Sequence, residues 1–210
     1  MMNSKTATQI KQRTTPKDVF ITPRALAKTA IDMAHNSLPE NLHPMKFNYW
    51  YDPFRNSAEG SYYSQFPRTN NKLPINNNDD CEGMFNPIHA KCWAEITEGR
   101  DFFTHEPVGD MMPARLIICS NPPYSMLDKV FQRCIELKPV VINLLIGVNN
   151  LTARRMEMME KAGYKLTKLH MCKVYKWFGM SFICNWVKGA EGSCLSYDRT
   201  VWRNAAPALQ

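Results

Sequence analysis

The chain has 210 residues, 44% of them hydrophobic, and carries a formal net charge of +7 with an isoelectric point near 9.0. This length and hydrophobic content favour a single domain with a real core and exclude global disorder. No apolar run reaches the roughly eighteen residues of a membrane-spanning helix. The basic N-terminal stretch lacks the apolar segment of a secretory signal. We therefore expect an intracellular protein of the cytoplasm, nucleoid or nucleus that is neither secreted nor membrane-bound, and the positive charge favours nucleic acid as a partner.

The seven cysteines never occur as a Cys-x-x-Cys pair, and most lie within apolar runs such as "LIICS" and "SFICNWV". We interpret them as reduced core residues rather than as metal ligands or disulfide partners. The five histidines are scattered along the chain, so the sequence predicts no metal site.

The first predicted element is a helix over residues 21–38, where small and aliphatic residues recur at helical spacing. Thr22 is its predicted cap, and Pro23 suits its first turn. Residues 1–18 before it are polar and basic and are predicted to form a flexible arm.

The rest of the chain alternates between predicted strands and helices, interrupted over residues 68–86 by an Asn-rich insert with loop chemistry. The last predicted strand is followed by a C-terminal tail over residues 189–210. This alternation predicts an α/β fold with a doubly wound, mostly parallel sheet that ends in an antiparallel hairpin. Strands are predicted over residues 46–53, 91–96, 114–120, 139–147, 165–175 and 181–188, and the two further helices over residues 125–137 and 152–164.

Polar residues stand at three predicted strand ends, where the ligands of such sheets bind. Asp52 ends the first strand, Glu95 ends the second, and Asn121 follows the third in "SNPPY". The third is the most informative, because a strand-ending turn requires neither an asparagine nor an aromatic residue. The two consecutive prolines also end the strand abruptly and restrict the backbone that follows Asn121.

These segments, in this order, resemble the class I S-adenosylmethionine-dependent DNA adenine-N6 methyltransferases, over roughly residues 18–188. "NPPY", "FITPRALA", "DPFRNSAEG" and "AEITEGRDFF" carry the resemblance. It implies a Rossmann-like methyltransferase domain over residues 19–188 and S-adenosylmethionine as cofactor, with S-adenosylhomocysteine as product. The implied catalytic residues are Asn121, Pro122, Pro123 and Tyr124. The implied cofactor-binding residues are Phe20, Thr22, Pro23, Asp52, Pro53, Phe54, Ser57, Glu95, Ile96, Asp101, Phe102 and Asn121.

A mechanism follows from these residue types. The adenine N6 amine is a poor nucleophile, because its lone pair is delocalised into the ring. The side-chain carbonyl of Asn121 and the backbone carbonyl of Pro122 can each accept an amine hydrogen and localise that lone pair, while Tyr124 offers a face for stacking. The sulfonium donor is already activated, so we expect no metal. A duplex base must be flipped out to reach the site, and Trp177 and Phe178 in "KWFGMSF" either close the other side of the pocket or simply pack on the core.

Double-stranded DNA is the expected partner. Lys11 and Arg13 in the arm are candidates for phosphate contacts, and Lys72 lies in the insert, which is our candidate for sequence recognition. Nothing in the sequence indicates an oligomeric state.

Three alternatives remain open from the sequence: methylation of adenine in RNA, methylation of a glutamine side chain in a protein, and a catalytically degenerate nucleic-acid-binding subunit. The last is favoured by the loop after Asp52. Asn56 and Ala58 stand there where glycines are usual in the family, and Gly60 is the only glycine nearby.

Overall fold

The computed structural model of the chain describes residues 20–38, 48–56, 60–67, 89–107, 116–175, 177 and 179–200. The predicted arm over residues 1–18 and the insert over residues 68–86 lie outside these residues. Five predicted site residues lie outside them as well: Lys11, Arg13, Ser57, Lys72 and Phe178.

Six strands form one sheet in the order β2-β1-β3-β4-β6-β5. β1 to β4 are parallel, and β6 runs antiparallel to both of its neighbours. The predicted α/β class, with a mostly parallel sheet that ends in an antiparallel hairpin, is confirmed. The strands are β1 (Asn48–Asp52), β2 (His89–Trp93), β3 (Leu116–Ser120), β4 (Val141–Gly147), β5 (Tyr164–Cys172) and β6 (Ser181–Lys188).

Three α-helices occur among the described residues: α1 (Arg24–His35), α2 (Leu127–Glu136) and α3 (Ala153–Lys161). No described helix has both the length and the apolar character needed to span a bilayer. The predicted capping of α1 by Thr22 is wrong. Pro23 occupies the cap position with a φ of −56° and a ψ of 137°, and no side chain caps the helix. Thr22 is instead buried, and its Oγ1 has no hydrogen-bond partner among the described residues. Its backbone carbonyl accepts a hydrogen bond from Ser61 Oγ.

Helices cover both faces of the sheet. Because side chains alternate along a strand, Tyr49 and Tyr51 of β1 pack in one apolar cluster with α2 and α3. Trp50, between them, packs in the other cluster with α1. Strands covered on both faces should be apolar throughout, and all residues of β3 are indeed buried.

A polar network nevertheless lies inside the sheet. Asn143 of β4 stands opposite Asn185 of β6, and Asn143 Nδ2 donates to Asn185 Oδ1 at 2.9 Å. Asn185 Nδ2 donates in turn to Ser37 Oγ at 3.0 Å and to Thr167 Oγ1 at 3.2 Å. Since buried polar groups are costly unless they are paired, this network fixes the alignment of β4, β5, β6 and the end of α1.

The topology gathers several chain segments at one edge of the sheet. The parallel strands end there at Asp52, Trp93, Ser120 and Gly147, and the turn between β5 and β6 returns to the same edge. β1 has β2 on one side and β3 on the other. The order in which strands are added to the sheet therefore changes direction between β1 and β3, which makes this position a topological switch point. Sheets of this kind bind ligands at such a switch point.

We predict that Asn185→Ala lowers the free energy of unfolding by about 1–3 kcal/mol, because it leaves buried partners in the network unsatisfied. Urea denaturation followed by circular dichroism measures the change. Asn149→Ala, at an exposed position just after β4, is the control and should stay within about 0.5 kcal/mol of the wild type. Equal effects of the two variants would contradict the importance of the network.

Candidate functional site

A buried carboxylate lies at the switch point. Asp52 is 1% exposed, and its Oδ1 accepts hydrogen bonds from Ser120 Oγ at 2.5 Å and from the Phe54 amide at 3.3 Å. Its Oδ2 accepts from the Tyr63 amide at 3.2 Å. Burial raises the pKa of Asp52 to about 6, although these hydrogen bonds and the charge of Arg55 act in the opposite direction. The carboxylate is therefore ionised at neutral pH but close to titration.

A small pocket, here called the Asp52 pocket, opens beside this carboxylate. It brings together segments that are distant in the sequence: the stretch before α1, the ends of β1 and β3, and the loop after β1. Four predicted site residues line it, together with Arg55, which the sequence analysis did not single out. The lining includes Thr22, Asp52, Phe54, Arg55, Gly60 and Asn121.

Asn121 presents an unusual amide. The residue is 7% exposed, and its Nδ2 donates to the Phe20 carbonyl oxygen at 2.7 Å. Its Oδ1 is buried and has no hydrogen-bond partner among the described residues. An unsatisfied buried acceptor costs about 1–3 kcal/mol. A hydrogen-bond donor from a ligand that reached this oxygen would offset that cost.

The rings of Phe20, Tyr124 and Trp177 meet next to Asn121 and are called the aromatic cluster below. The Phe20 ring stacks on Tyr124 with centroids 6.1 Å apart and lies 5.3 Å from the Trp177 ring. Gly147 lies beside this arrangement: a Cβ there would lie 3.4 Å from the Tyr124 ring and 3.1 Å from Asn150 Nδ2. Phe20, predicted to contact the cofactor, is thus placed with the two residues predicted to contact the base.

Pro122 and Pro123 separate Asn121 from Tyr124. Pro122 is buried, and Pro123 leads in extended conformation into the short helical turn Tyr124–Met126. The fixed φ of each proline limits how far Asn121 and Tyr124 can move relative to each other.

Glu95 lies beside the loop that follows β1. Its carboxylate accepts hydrogen bonds from the Asn56 amide at 2.8 Å and from the Thr97 amide at 3.1 Å. Asn56 has a φ of 65°, in the left-handed region where asparagine is tolerated better than most residues. Glu95 thus holds this loop, and the adjacent Ile96 is 70% exposed.

Neither Asp101 nor Phe102 is among the residues that line the Asp52 pocket. Asp101 Oδ1 accepts from the Phe103 amide at 3.0 Å and so stabilises its own turn. Phe102 is buried, with its ring 5.1 Å from that of Phe54 and 6.1 Å from that of Tyr51.

Pro23 and Pro53 complete the predicted set. Pro23 is exposed and lines an open groove between α1 and the β5–β6 turn, which Trp177 also lines. Pro53 is buried directly after β1.

Sequence reasoning missed two residues that shape the site. Ser120 holds the Asp52 carboxylate, and Arg55 lines the pocket. The available signal was a polar residue at the end of an apolar strand for Ser120. For Arg55 it was a positive charge in a loop that is poor in glycine.

The described residues contain no group of three or more His, Cys, Asp or Glu side chains placed to hold a metal ion. Comparison with known proteins adds no identification: no protein-family model matches the chain, and no curated protein matches it significantly.

The raised pKa of Asp52 predicts a pH dependence of stability. The ordinary value is 3.8 and the folded value is about 6, so the folded state binds the proton more tightly. The contribution of Asp52 to stability is therefore greatest below pH 4 and is lost as the pH rises through 6, by about 3 kcal/mol in total. We predict this decline in the unfolding free energy of the wild type minus that of Asp52→Asn, measured by urea denaturation from pH 4 to 7.

The subtraction removes the titration of all other groups from this comparison. Asp32→Asn, on the exposed face of α1, is the control for loss of a surface carboxylate. A wild-type-minus-variant difference that does not change between pH 4 and 7 would show that Asp52 is not destabilised by burial.

Proposed function

We propose that the chain transfers a methyl group from S-adenosylmethionine to the N6 amine of adenine in DNA, with the target base flipped out, on a Rossmann-like class I methyltransferase fold. One observation carries the proposal. Asn121 follows β3 at the switch point, beside the Asp52 pocket, with a buried and unpartnered Oδ1 and an aromatic cluster next to it. The net charge of +7 supports a nucleic-acid substrate.

The Asp52 pocket suits the amino-acid end of the cofactor. Asp52 is ionised at neutral pH and can face a positively charged amino group. Glu95, at the adjacent strand end, is the candidate for the ribose hydroxyls. Bound S-adenosylmethionine supplies a methyl group already activated on a sulfonium, so the amine nitrogen takes the methyl carbon, sulfur keeps the bonding electron pair, and one amine proton leaves to solvent.

Asn121 acts on the amine in this proposal. Since the Phe20 carbonyl holds Nδ2, the amide cannot rotate freely, and Oδ1 keeps a fixed direction. Oδ1 accepts one amine hydrogen and the Pro122 carbonyl accepts the other, which localises the nitrogen lone pair. Because both acceptors are fixed before the base arrives, little entropy is lost on binding.

In this proposal, the flipped base binds in the aromatic cluster. Tyr124 and Trp177 are the rings on which the base stacks, and Phe20 contacts both of them. Asn121 Oδ1 is also shielded from solvent. In this proposal, base entry requires the Phe20 side chain to leave the contacts that it makes with the two rings.

We predict that Asn121→Ala lowers the rate of methyl transfer at least about a hundredfold, because its carbonyl acts mainly in the transition state. Transfer of tritium from labelled S-adenosylmethionine to duplex DNA measures the rate, and calorimetry with S-adenosylhomocysteine should show nearly unchanged affinity. Asn149→Ala is the control and should keep the wild-type rate. An unchanged kcat in Asn121→Ala would remove this residue from catalysis.

The same assay separates the proposal from its rivals. Wild-type protein should label duplex DNA in preference to RNA or protein. Labelling of RNA alone or of protein glutamine would replace the substrate. DNA retention in a gel shift without any labelling would favour a non-catalytic binding subunit.

We predict that Phe20→Ala increases the population of flipped base. The change removes the ring but leaves the backbone carbonyl that holds Asn121. The measurement is the fluorescence of 2-aminopurine, placed where the wild type methylates adenine, because this fluorescence rises when the base leaves the stack. Phe20→Tyr keeps a ring and is the control. Weaker fluorescence with Phe20→Ala would show that Phe20 supports the base rather than occupying its place.

A further inference from the structure

Arg55 is a buried cation beside the Asp52 pocket. The residue is 7% exposed, and its guanidinium carbon lies 3.5 Å from the centroid of the Trp93 ring. Its Nη2 donates to both carboxylate oxygens of Glu98 at 2.5 Å. A buried guanidinium is costly to desolvate, and the Glu98 carboxylate and the Trp93 ring offset part of that cost.

The pairing with Glu98 uses one terminal nitrogen only. Nε of Arg55 is buried and has no hydrogen-bond partner among the described residues. Guanidinium donors are arranged in a rigid fork that matches a carboxylate. Arg55 is one of the residues that line the pocket, its charge is held in place by Glu98, and part of its donor capacity is unused.

The loop after β1 explains why a side chain is needed here. Backbone amides can approach a ligand closely where the loop is built of glycine, but this loop has asparagine at position 56. The Asn56 amide is already bound by Glu95 at 2.8 Å. Among the described residues that line the pocket, Arg55 carries the one positively charged side chain and is the candidate donor to a ligand carboxylate.

We propose that Arg55 binds the carboxylate of a zwitterionic α-amino-acid group, whose ammonium faces Asp52, in the Asp52 pocket. The inference rests on the proposed function, since the methionine end of S-adenosylmethionine carries such a group. It adds Arg55 as a binding residue. Arg55 pairs with the carboxylate of the zwitterion, and Asp52 pairs with its ammonium group.

The test compares two ligands that differ in one group. S-adenosylhomocysteine carries the carboxylate, and its decarboxylated analogue S-adenosyl-3-thiopropylamine keeps the amino group but lacks the carboxylate. Calorimetry should show that the wild type binds S-adenosylhomocysteine at least about tenfold more tightly than the analogue, as expected for a hydrogen-bonded charge pair. Arg55→Gln should lose this preference and bind both ligands alike.

Two further variants control for structural effects. Arg100→Gln removes the other guanidinium that stacks on Trp93, 4.3 Å from its centroid, and should keep the preference. Arg55→Lys keeps the charge but not the fork, and should retain a reduced preference. It serves as the test variant if thermal unfolding shows that Arg55→Gln does not fold.

The outcomes separate the inference from the proposed function. If Arg55→Gln weakens both ligands equally, or weakens neither, Arg55 has only a structural role and the inference is overturned while cofactor binding stands. If the wild-type protein binds neither ligand, the proposed function fails and the inference fails with it.

Discussion

The hydrogen bond between Ser120 and the buried Asp52 carboxylate is the interaction on which the site depends. It joins the carboxyl ends of β3 and β1, and the Tyr63 amide ties the loop after β1 to the same carboxylate. A buried carboxylate is costly without such partners, and the raised pKa of Asp52 shows that they offset the cost only in part. Because Asn121 follows Ser120 directly, this bond also fixes the position of Asn121 relative to the Asp52 pocket.

The sheet determines which chemical groups can meet at this edge. Helices cover both of its faces, so the polar side chains of the candidate site lie where the strands end. The antiparallel return of β6 brings the turn after β5, with Trp177, to the edge at which the parallel strands end. Tyr124 and Trp177 therefore meet around Phe20, although they belong to separate parts of the chain.

Four residues that line the same pocket have a buried polar atom without a hydrogen-bond partner among the described residues: Thr22, Arg55, Tyr62 and Asn121. Arg55 and Asn121 are the two with a proposed ligand. Asn121 has a free acceptor in Oδ1, and Arg55 has a free donor in Nε, among the described residues. Each is costly in isolation, and each is held firmly, Asn121 by Phe20 and Arg55 by Glu98 and Trp93. In the proposed function, Asn121 Oδ1 accepts from the adenine amine, and Arg55 donates to the carboxylate of the amino-acid end.

The sequence by itself determined the elements and the strand-end residues. Apolar runs that end at proline or polar residues located β1, β3, β4 and β6, and they placed Asp52 and Asn121 at strand ends. Local propensity is sufficient for this, because a strand and its terminating residues are neighbours in the chain. Local propensity gave a wrong prediction for Thr22, which is buried and does not cap α1.

Only the tertiary structure decided the contacts that make these residues a site. Ser120 lies 68 residues from Asp52, Phe20 lies 101 residues from Asn121, and Glu98 lies 43 residues from Arg55. Hydrophobic periodicity specifies which face of an element is buried, but not the order in which strands pair or which polar groups they bring together. Those contacts follow from the strand order of the sheet and from the requirement that buried polar groups find partners.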